Sequence, residues 1–263
     1  MKQVKLASNF LQNAPPGEYE QCSAALGTIV SDSNTVRQAR QQSGKIWHEN
    51  SYYYVIVSDH QAIVCKEACQ PDGSYLDPTT GKTFKFDYES KKTSLTGQSV
   101  NLPQICTDIM TILTPYCEAS YKEKSACGCY PCPDGSVYIV MRSSSISLPN
   151  YRTGAVYASY KLSKDGTLKG RIDAIQHFFE SGNALGQFGA NLASKVKMGS
   201  NTKEVAKEVI RVIDEFEQKW LDAANTAFER VNNEALFKLR RKIPFTHSKI
   251  DWERELTPGS FIA

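Results

Sequence analysis

Residues 201–240 have the sequence NTKEVAKEVIRVIDEFEQKWLDAANTAFERVNNEALFKLR, which contains neither glycine nor proline. Apolar residues recur in it every three or four positions, a spacing that predicts an amphipathic helix. The apolar positions are Val205, Val209, Val212, Ile213, Phe216, Trp220, Ala224, Ala227, Phe228, Val231, Ala235 and Leu239. Asn201 can cap the amino end, with Glu204 three residues later, as in a capping box. We therefore predict one uninterrupted helix that ends before Pro244.

The length of this helix carries a prediction about assembly. About 40 residues at about 1.5 Å each give a helix of about 60 Å. A globular chain of 263 residues has a radius of gyration of only about 18 Å. The helix is therefore predicted to extend beyond its own subunit or to pack across a partner.

Five segments before the helix have the composition of β-strands and are separated by tight turns. They cover residues 126–132, 136–147, 154–162, 167–179 and 184–197. Turn-forming residues stand between them, for example Pro133-Asp134-Gly135 and Lys164-Asp165-Gly166. Strands connected in this way pair with their neighbours along the chain, so the pattern predicts an antiparallel meander.

The region before the meander is predicted to be helical first and then mixed. Three helices are expected to end before Pro15, near Val30 and at Gly44. Strands are then expected over residues 52–58, 61–66 and 83–87, the first two as a hairpin. A helix is expected over residues 104–121, with a kink or an end near Thr114 because Pro115 follows.

Together these elements predict an α+β fold with the long helix packed across the sheet and a partner subunit. One domain is expected over residues 1–240. It comprises a three-helix bundle over 1–44, a sheet with an inserted helix over 45–198, and the long helix over 201–240. Residues 241–263 are expected to form a basic tail.

Composition excludes several functional classes. Hydrophobic residues make up 41% of the chain and charged residues 22%, an ordinary globular balance. The net charge of +3 is too small for a general nucleic-acid binder. No apolar run follows Met1–Lys5, and the longest one, Tyr52–Val57, is too short to cross a bilayer. We therefore expect a cytoplasmic protein.

Positive charge is concentrated at the end of the predicted long helix. The basic residues there are Lys238, Arg240, Arg241, Lys242 and Lys249, with no acidic residue between them. Such a cluster would speed association with an acidic surface and make it depend on salt. Ile250 and Trp252 follow as apolar groups that could anchor in a cleft of the same partner. The alternative is that Ile250 and Trp252 pack back on their own sheet.

Several segments, in order along the chain, resemble the alpha subunit of F-actin capping protein (CapZ). They are FLQNAPPGEY at 10–19, LDP at 76–78 with TFKFD at 83–87, LPNY at 148–151, HFFESGN at 177–183 and LRRKIPFTHSKIDW at 239–252. Ser181 stands where the family has an acidic residue, and His247 where it has an arginine. The match is poor over residues 89–132.

The resemblance implies a fold, a partner and a function. Family members have three N-terminal helices, a sheet and a long helix across it, and their alpha and beta subunits share one continuous sheet. The dimer caps the fast-growing (barbed) end of actin filaments, and the basic alpha tail contributes most to affinity. The implied actin-binding residues are Lys238, Arg240, Arg241, Lys242, His247, Lys249, Ile250 and Trp252.

The expected partners are the barbed end and either a capping protein beta subunit or a second copy of this chain. A homodimer is physically feasible because a pseudo-symmetric interface is nearly self-complementary. Anionic phospholipid is a further candidate for the basic cluster, and no nucleic-acid partner is expected.

The sequence offers less for two other functional classes, a metal-binding scaffold and an enzyme. One alternative is a dimeric scaffold without actin activity that binds a metal through cysteines. The candidate ligands are Cys117, Cys127, Cys129 and Cys132. Their spacing is not that of a zinc site. The simpler interpretation is that these cysteines are small apolar residues of a strand. No nucleophile or phosphate-loop motif of an enzyme occurs, and no cofactor is expected.

Overall fold

The computed structural model describes residues 2–121, 124–180 and 183–230. The chain divides into two units, residues 1–214 and 215–263. Of the second unit, the structure describes residues 215–230, which form the end of the last helix. The helices are α1 (Lys2–Gln12), α2 (Tyr19–Ile29), α3 (Ser33–Asn50), α4 (Gln104–Ser120) and α5 (Thr202–Arg230). The strands are β1 (Tyr53–Val57), β2 (His60–Val64), β3 (Tyr75–Leu76), β4 (Lys82–Phe86), β5 (Thr93–Ser99), β6 (Ala126–Pro131), β7 (Val137–Ser147), β8 (Arg152–Leu162), β9 (Thr167–Phe178) and β10 (Ala184–Lys195).

Helices α1, α2 and α3 form the predicted bundle around one small core. The buried residues of this core are Ala7, Leu11, Tyr19, Leu26, Val36, Ala39 and Trp47. Asp32 caps α3 by accepting hydrogen bonds from the backbone N–H groups of Asn34 and Thr35. The indole of Trp47 donates to the Ala14 carbonyl at 2.9 Å, which closes the bundle across the turn after α1.

The predicted end of the third helix at Gly44 is wrong, because α3 continues to Asn50. Gly44 lies inside the helix, where a Cβ atom would meet the Cβ of Tyr88 at 3.3 Å. Its lack of a side chain therefore allows close packing and does not end the helix.

Strands β1 to β5 form a hairpin and a small sheet. β1 pairs with β2 through a turn at Ser58 and Asp59, which both have positive φ, as a two-residue hairpin turn requires. β4 lies between β3 and β5 in a three-stranded sheet. The hairpin and β4 confirm their predictions, whereas β3 and β5 were not predicted. A buried core that includes Ile63, Tyr75 and Phe84 joins these strands to β6 and β7.

The five-stranded sheet has the order β10-β9-β8-β7-β6, and its four strand pairs are antiparallel. The predicted meander is confirmed, with strand ends that differ by at most two residues. Side chains of paired residues share a face, so Thr153, His177 and Leu185 line up on one side of β8, β9 and β10.

Helix α4 runs through Pro115 to Ser120, so of the two predicted alternatives the end near Thr114 is wrong, and the kink stays a prediction. Its buried apolar residues Cys106, Ile109, Leu113 and Cys117 lie on one face. Burial of that face outweighs the single hydrogen bond that the proline removes.

Helix α5 confirms the first part of the predicted long helix. The Asn201 side chain accepts from the Lys203 backbone N–H at 3.1 Å, which is the predicted cap. Val205, Val209 and Ile213 are buried. Residues 231–240, and the domain boundary at 240, lie outside the described residues and stay predictions. The fold is α+β with antiparallel sheets and a long C-terminal helix, and no described helix is long and apolar enough to span a membrane.

Candidate functional site

The predicted actin-binding residues, Lys238, Arg240, Arg241, Lys242, His247, Lys249, Ile250 and Trp252, lie outside the described residues. Their assignment stays a prediction from the sequence. The described residues contain three further features that bear on function, namely an open sheet edge, a buried ionic junction and a charged cleft.

The open edge is strand β10. All twelve residues of β10 pair with β9, and among the described residues no strand lies on its other side. Backbone N–H and C=O groups on that side are therefore available to a further strand. Proteins usually block such an edge with charged residues or proline, but β10 contains no proline, and Lys195 at its end is its single charged residue.

Side chains beside this edge are both polar and apolar. Arg171 forms a forked pair with Asp173 on β9, at 2.6 and 2.7 Å, and also donates to Asn191 on β10 at 3.2 Å. Near the start of β10, Phe178 and Leu185 are half or more exposed. A surface of this mixed character resembles protein interfaces in composition.

The buried junction ties the turn between α1 and α2 to the end of the five-stranded sheet. Glu18 Oε1 lies 2.6 Å from both Thr153 Oγ1 and His177 Nδ1. The other ring nitrogen of His177 lies 2.6 Å from Asn183 Oδ1. Burial alone would lower the pKa of His177, but hydrogen bonds to Glu18 and Asn183 outweigh it and raise the pKa above 6.5. Both ring nitrogens therefore face acceptors, an arrangement that favours the protonated imidazole.

Two neighbours fix the geometry of this junction. Gly17, just before Glu18, has φ +77° and packs so closely that a Cβ would overlap the Ile146 side chain. Phe179 stacks on the His177 ring with centroids 5.0 Å apart. His177 is a buried residue of β9, and the sequence gives no sign that Glu18 is its partner.

The cleft of about 820 Å³ lies between α2, α3 and the turn that joins β4 to β5. Lys91 projects into it and lies 3.1 Å from Glu20 and 2.8 Å from Nε2 of His48. Nδ1 of His48 lies 2.6 Å from the Gly44 carbonyl, so the ring donates there and accepts from Lys91. Burial, and then the Lys91 charge, lower the pKa of His48 to about 4, so this imidazole is neutral at physiological pH.

The described residues give no support to the metal or enzyme alternatives. No group of three or more His, Cys, Asp or Glu side chains among them is placed to hold a metal ion. Cys65 and His60 are the nearest thiol and imidazole in the sequence, but His60 begins β2 and Cys65 comes just after its last residue, Val64. Burial raises the pKa of the Cys65 thiol well above its usual value, which makes it a poor nucleophile.

Comparison with known proteins identifies the family. A sequence profile for the F-actin capping protein alpha subunit matches residues 7–258. The chain belongs to this family. The F-actin-capping protein subunit alpha of Yarrowia lipolytica is 26% identical over 250 residues, which cover 95% of this chain and 91% of that protein. The corresponding subunit of Caenorhabditis elegans is 22% identical over 268 residues, which cover 97% and 95%.

A solved structure shows the same fold. It is that of the homodimeric actin capping protein alpha subunit from Plasmodium berghei, with a TM-score of 0.74 and 20% identity. The match covers 92% of this chain and 97% of that one. The resemblance inferred from the sequence blocks is thus confirmed, and the family is one of actin-capping proteins rather than enzymes.

Proposed function

We propose that this chain is a subunit of a non-catalytic, dimeric cap that blocks addition and loss of actin at filament barbed ends. The observation that carries the proposal is the family match, which extends to residue 258 and so includes the basic block at 239–252. The proposal places the protein in the cytoplasm, on the actin cytoskeleton.

The basic tail is proposed to make the main contact with actin. Lys238, Arg240, Arg241, Lys242 and Lys249 would face acidic side chains of the filament end, and the two arginines can each bind a carboxylate through two donors. Ile250 and Trp252 would add apolar contact, while His247 adds little charge at neutral pH.

Charge reversal tests this contact. Arg240→Glu/Arg241→Glu is expected to weaken capping several-fold or more and to leave the dimer intact. Lys203→Glu/Lys207→Glu is the matched control, because it makes the same change of charge at exposed positions near the start of α5. Capping is measured as the rate of elongation from filament seeds at two salt concentrations. If the two double variants cap equally well, the tail is not the contact.

The second part of the proposal is that β10 pairs with a strand of a partner subunit. Its unprotected edge supports this, as does the continuous sheet that the family resemblance implies. The partner is either a beta subunit or a second copy, and the fold similarity to a homodimeric alpha subunit keeps the second copy open.

Two proline variants test the edge. Neighbouring N–H groups of an antiparallel strand point in opposite directions. One of the two variants, Ala190→Pro and Asn191→Pro, therefore removes a backbone hydrogen bond to β9. The other removes an N–H donor that points away from β9, towards the open edge. We expect one of the two to yield a folded monomer of 29.3 kDa, while the wild-type chain forms a dimer alone or with a beta subunit. If every variant that folds still forms a dimer, the β10 edge is not the dimer interface.

Anionic phospholipid is proposed as a competing partner for the same basic residues. Vesicles containing phosphatidylserine should then relieve capping by the wild-type protein, and neutral vesicles should not. Relief of equal size by both vesicle types would exclude a shared charged site.

A further inference from the structure

Four thiols meet in pairs where α4 packs on β6. Cys106 and Cys117 lie on the buried face of α4, and Cys127 and Cys129 alternate along β6 and so share one face of the strand. The side chains of Cys106 and Cys129 are hydrogen-bonded to each other, as are those of Cys117 and Cys127. These cysteines are free thiols, and they have no part in the proposed capping contact.

We propose that Cys117 and Cys127 are an oxidation site, at which hydrogen peroxide closes an intramolecular disulfide between α4 and β6. The site is independent of the proposed function, since it involves no residue of the basic tail or of the β10 edge.

Accessibility favours this pair over its neighbour. Cys127 is 8% exposed, whereas Cys106 and Cys129 are 1% and 0% exposed, so an oxidant in solvent meets Cys127 first. A hydrogen bond to Cys117 lowers the pKa of Cys127 despite its burial, and Thr114 assists from 3.9 Å. Because Cys127 is the most exposed of the four thiols, its thiolate is the nucleophile that an oxidant reaches first.

The local backbone also favours closure. A disulfide has an S–S length of about 2 Å, so two hydrogen-bonded thiols must move closer before the bond forms. Pro115 stands two residues before Cys117 and has no N–H to complete the helical ladder. The turn of α4 that carries Cys117 is therefore less firmly held than an ordinary helical turn.

The chemistry balances with one peroxide. The Cys127 thiolate attacks a peroxide oxygen, the O–O bond breaks, and the proton that Cys127 gave up leaves with the released hydroxide as water. Cys117 sulfur then attacks the sulfur of the resulting sulfenic acid, the S–O bond breaks, and the Cys117 proton leaves in a second water. Two thiols lose two electrons, and the peroxide is reduced to two waters.

Peptide mapping tests the site. The reduced full-length protein is treated with hydrogen peroxide, blocked with N-ethylmaleimide in denaturant, and digested with trypsin and an endoproteinase that cleaves before aspartate. Cys106, Cys117 and the three β6-region cysteines then fall on separate fragments, residues 93–107, 108–122 and 125–133. We expect fragment 108–122 to appear bonded to 125–133, with the loss of two free thiols of the eight.

Variants assign the partner. Cys127→Ser should abolish this linkage, whereas Cys132→Ser, at a half-buried position just beyond β6, should keep it. The proposal is overturned if wild-type protein gives only alkylated or over-oxidised 108–122, if 93–107 is the fragment linked instead, or if the linkage survives in Cys127→Ser. The wild-type map alone decides the first two outcomes, even if a variant fails to fold.

Discussion

Replacing Glu18 with alanine should destabilise the protein by removing the one acceptor that Thr153 and His177 share. Both donors lie 2.6 Å from Glu18 Oε1, and Glu18 and His177 are 9% and 6% exposed. Removing one partner of a buried ion pair costs about 3–5 kcal/mol. We expect about 3 kcal/mol for Glu18→Ala, the lower limit, because His177 can lose its proton and keeps Asn183 as a neighbour.

The sign of the pH dependence follows from the raised pKa of His177. The folded-state pKa lies above the ordinary value of 6.5, so the proton stabilises the fold fully below pH 6.5. That contribution is lost as the pH rises through the folded-state pKa. Glu18→Gln keeps an acceptor for Thr153 but removes the charge, so it should cost at least about 1 kcal/mol at pH 6 and less at pH 9.

Urea unfolding at fixed protein concentration, followed by tryptophan fluorescence, measures these costs. Glu208→Gln is the control, because it removes the charge of an exposed pair with Arg211 and should cost less than about 0.5 kcal/mol. If Glu18→Ala costs no more than this control, or if the cost of Glu18→Gln is the same at both pH values, the ionic junction does not stabilise the fold.

Three further predictions concern Gly17 beside the junction and the Lys91–His48 contact in the cleft. Gly17→Ala should lower the free energy of unfolding by about 1–3 kcal/mol because Gly17 has positive φ and packs against Ile146. Ile146→Ala should then destabilise the Gly17→Ala variant less than it destabilises the wild-type protein. If urea unfolding shows that the two destabilisations simply add, the contact is contradicted. NMR titration should find the pKa of His48 at about 4. The protein should therefore lose stability as the pH falls from 6.5 towards 4. A titration midpoint near 6.5 would contradict the burial of His48. Lys91→Met should raise the pKa of His48 without returning it to 6.5, because burial remains the larger cause, and an unchanged pKa would contradict the Lys91 contact.

The meander was predictable because its signals are local. Each strand is long, and Gly135 and Gly166, both with positive φ, mark tight turns that the sequence shows directly. β3 was not predicted because it has only two residues. β5 was not predicted because its sequence, TSLTGQS, is mostly polar and largely exposed. Neither Gly44 nor Pro115 ends its helix, because tertiary packing overrides the usual effect of both residues.

The junction was not predictable from one sequence. Glu18 and His177 are 159 positions apart, and nothing near either residue in the sequence shows that the two are paired. Proximity of that kind depends on how the bundle meets the sheet. The basic tail differs because its positive charges are close together in the sequence, so composition alone was enough to propose it.

Elongation from actin filament seeds at low salt tests the central claim most directly. The chain is added alone and then together with a capping protein beta subunit. We predict dose-dependent arrest of barbed-end growth in at least one of the two mixtures, and arrest by the chain alone would mean that a homodimer is active. Unchanged elongation in both mixtures would contradict the proposal that this protein caps filaments.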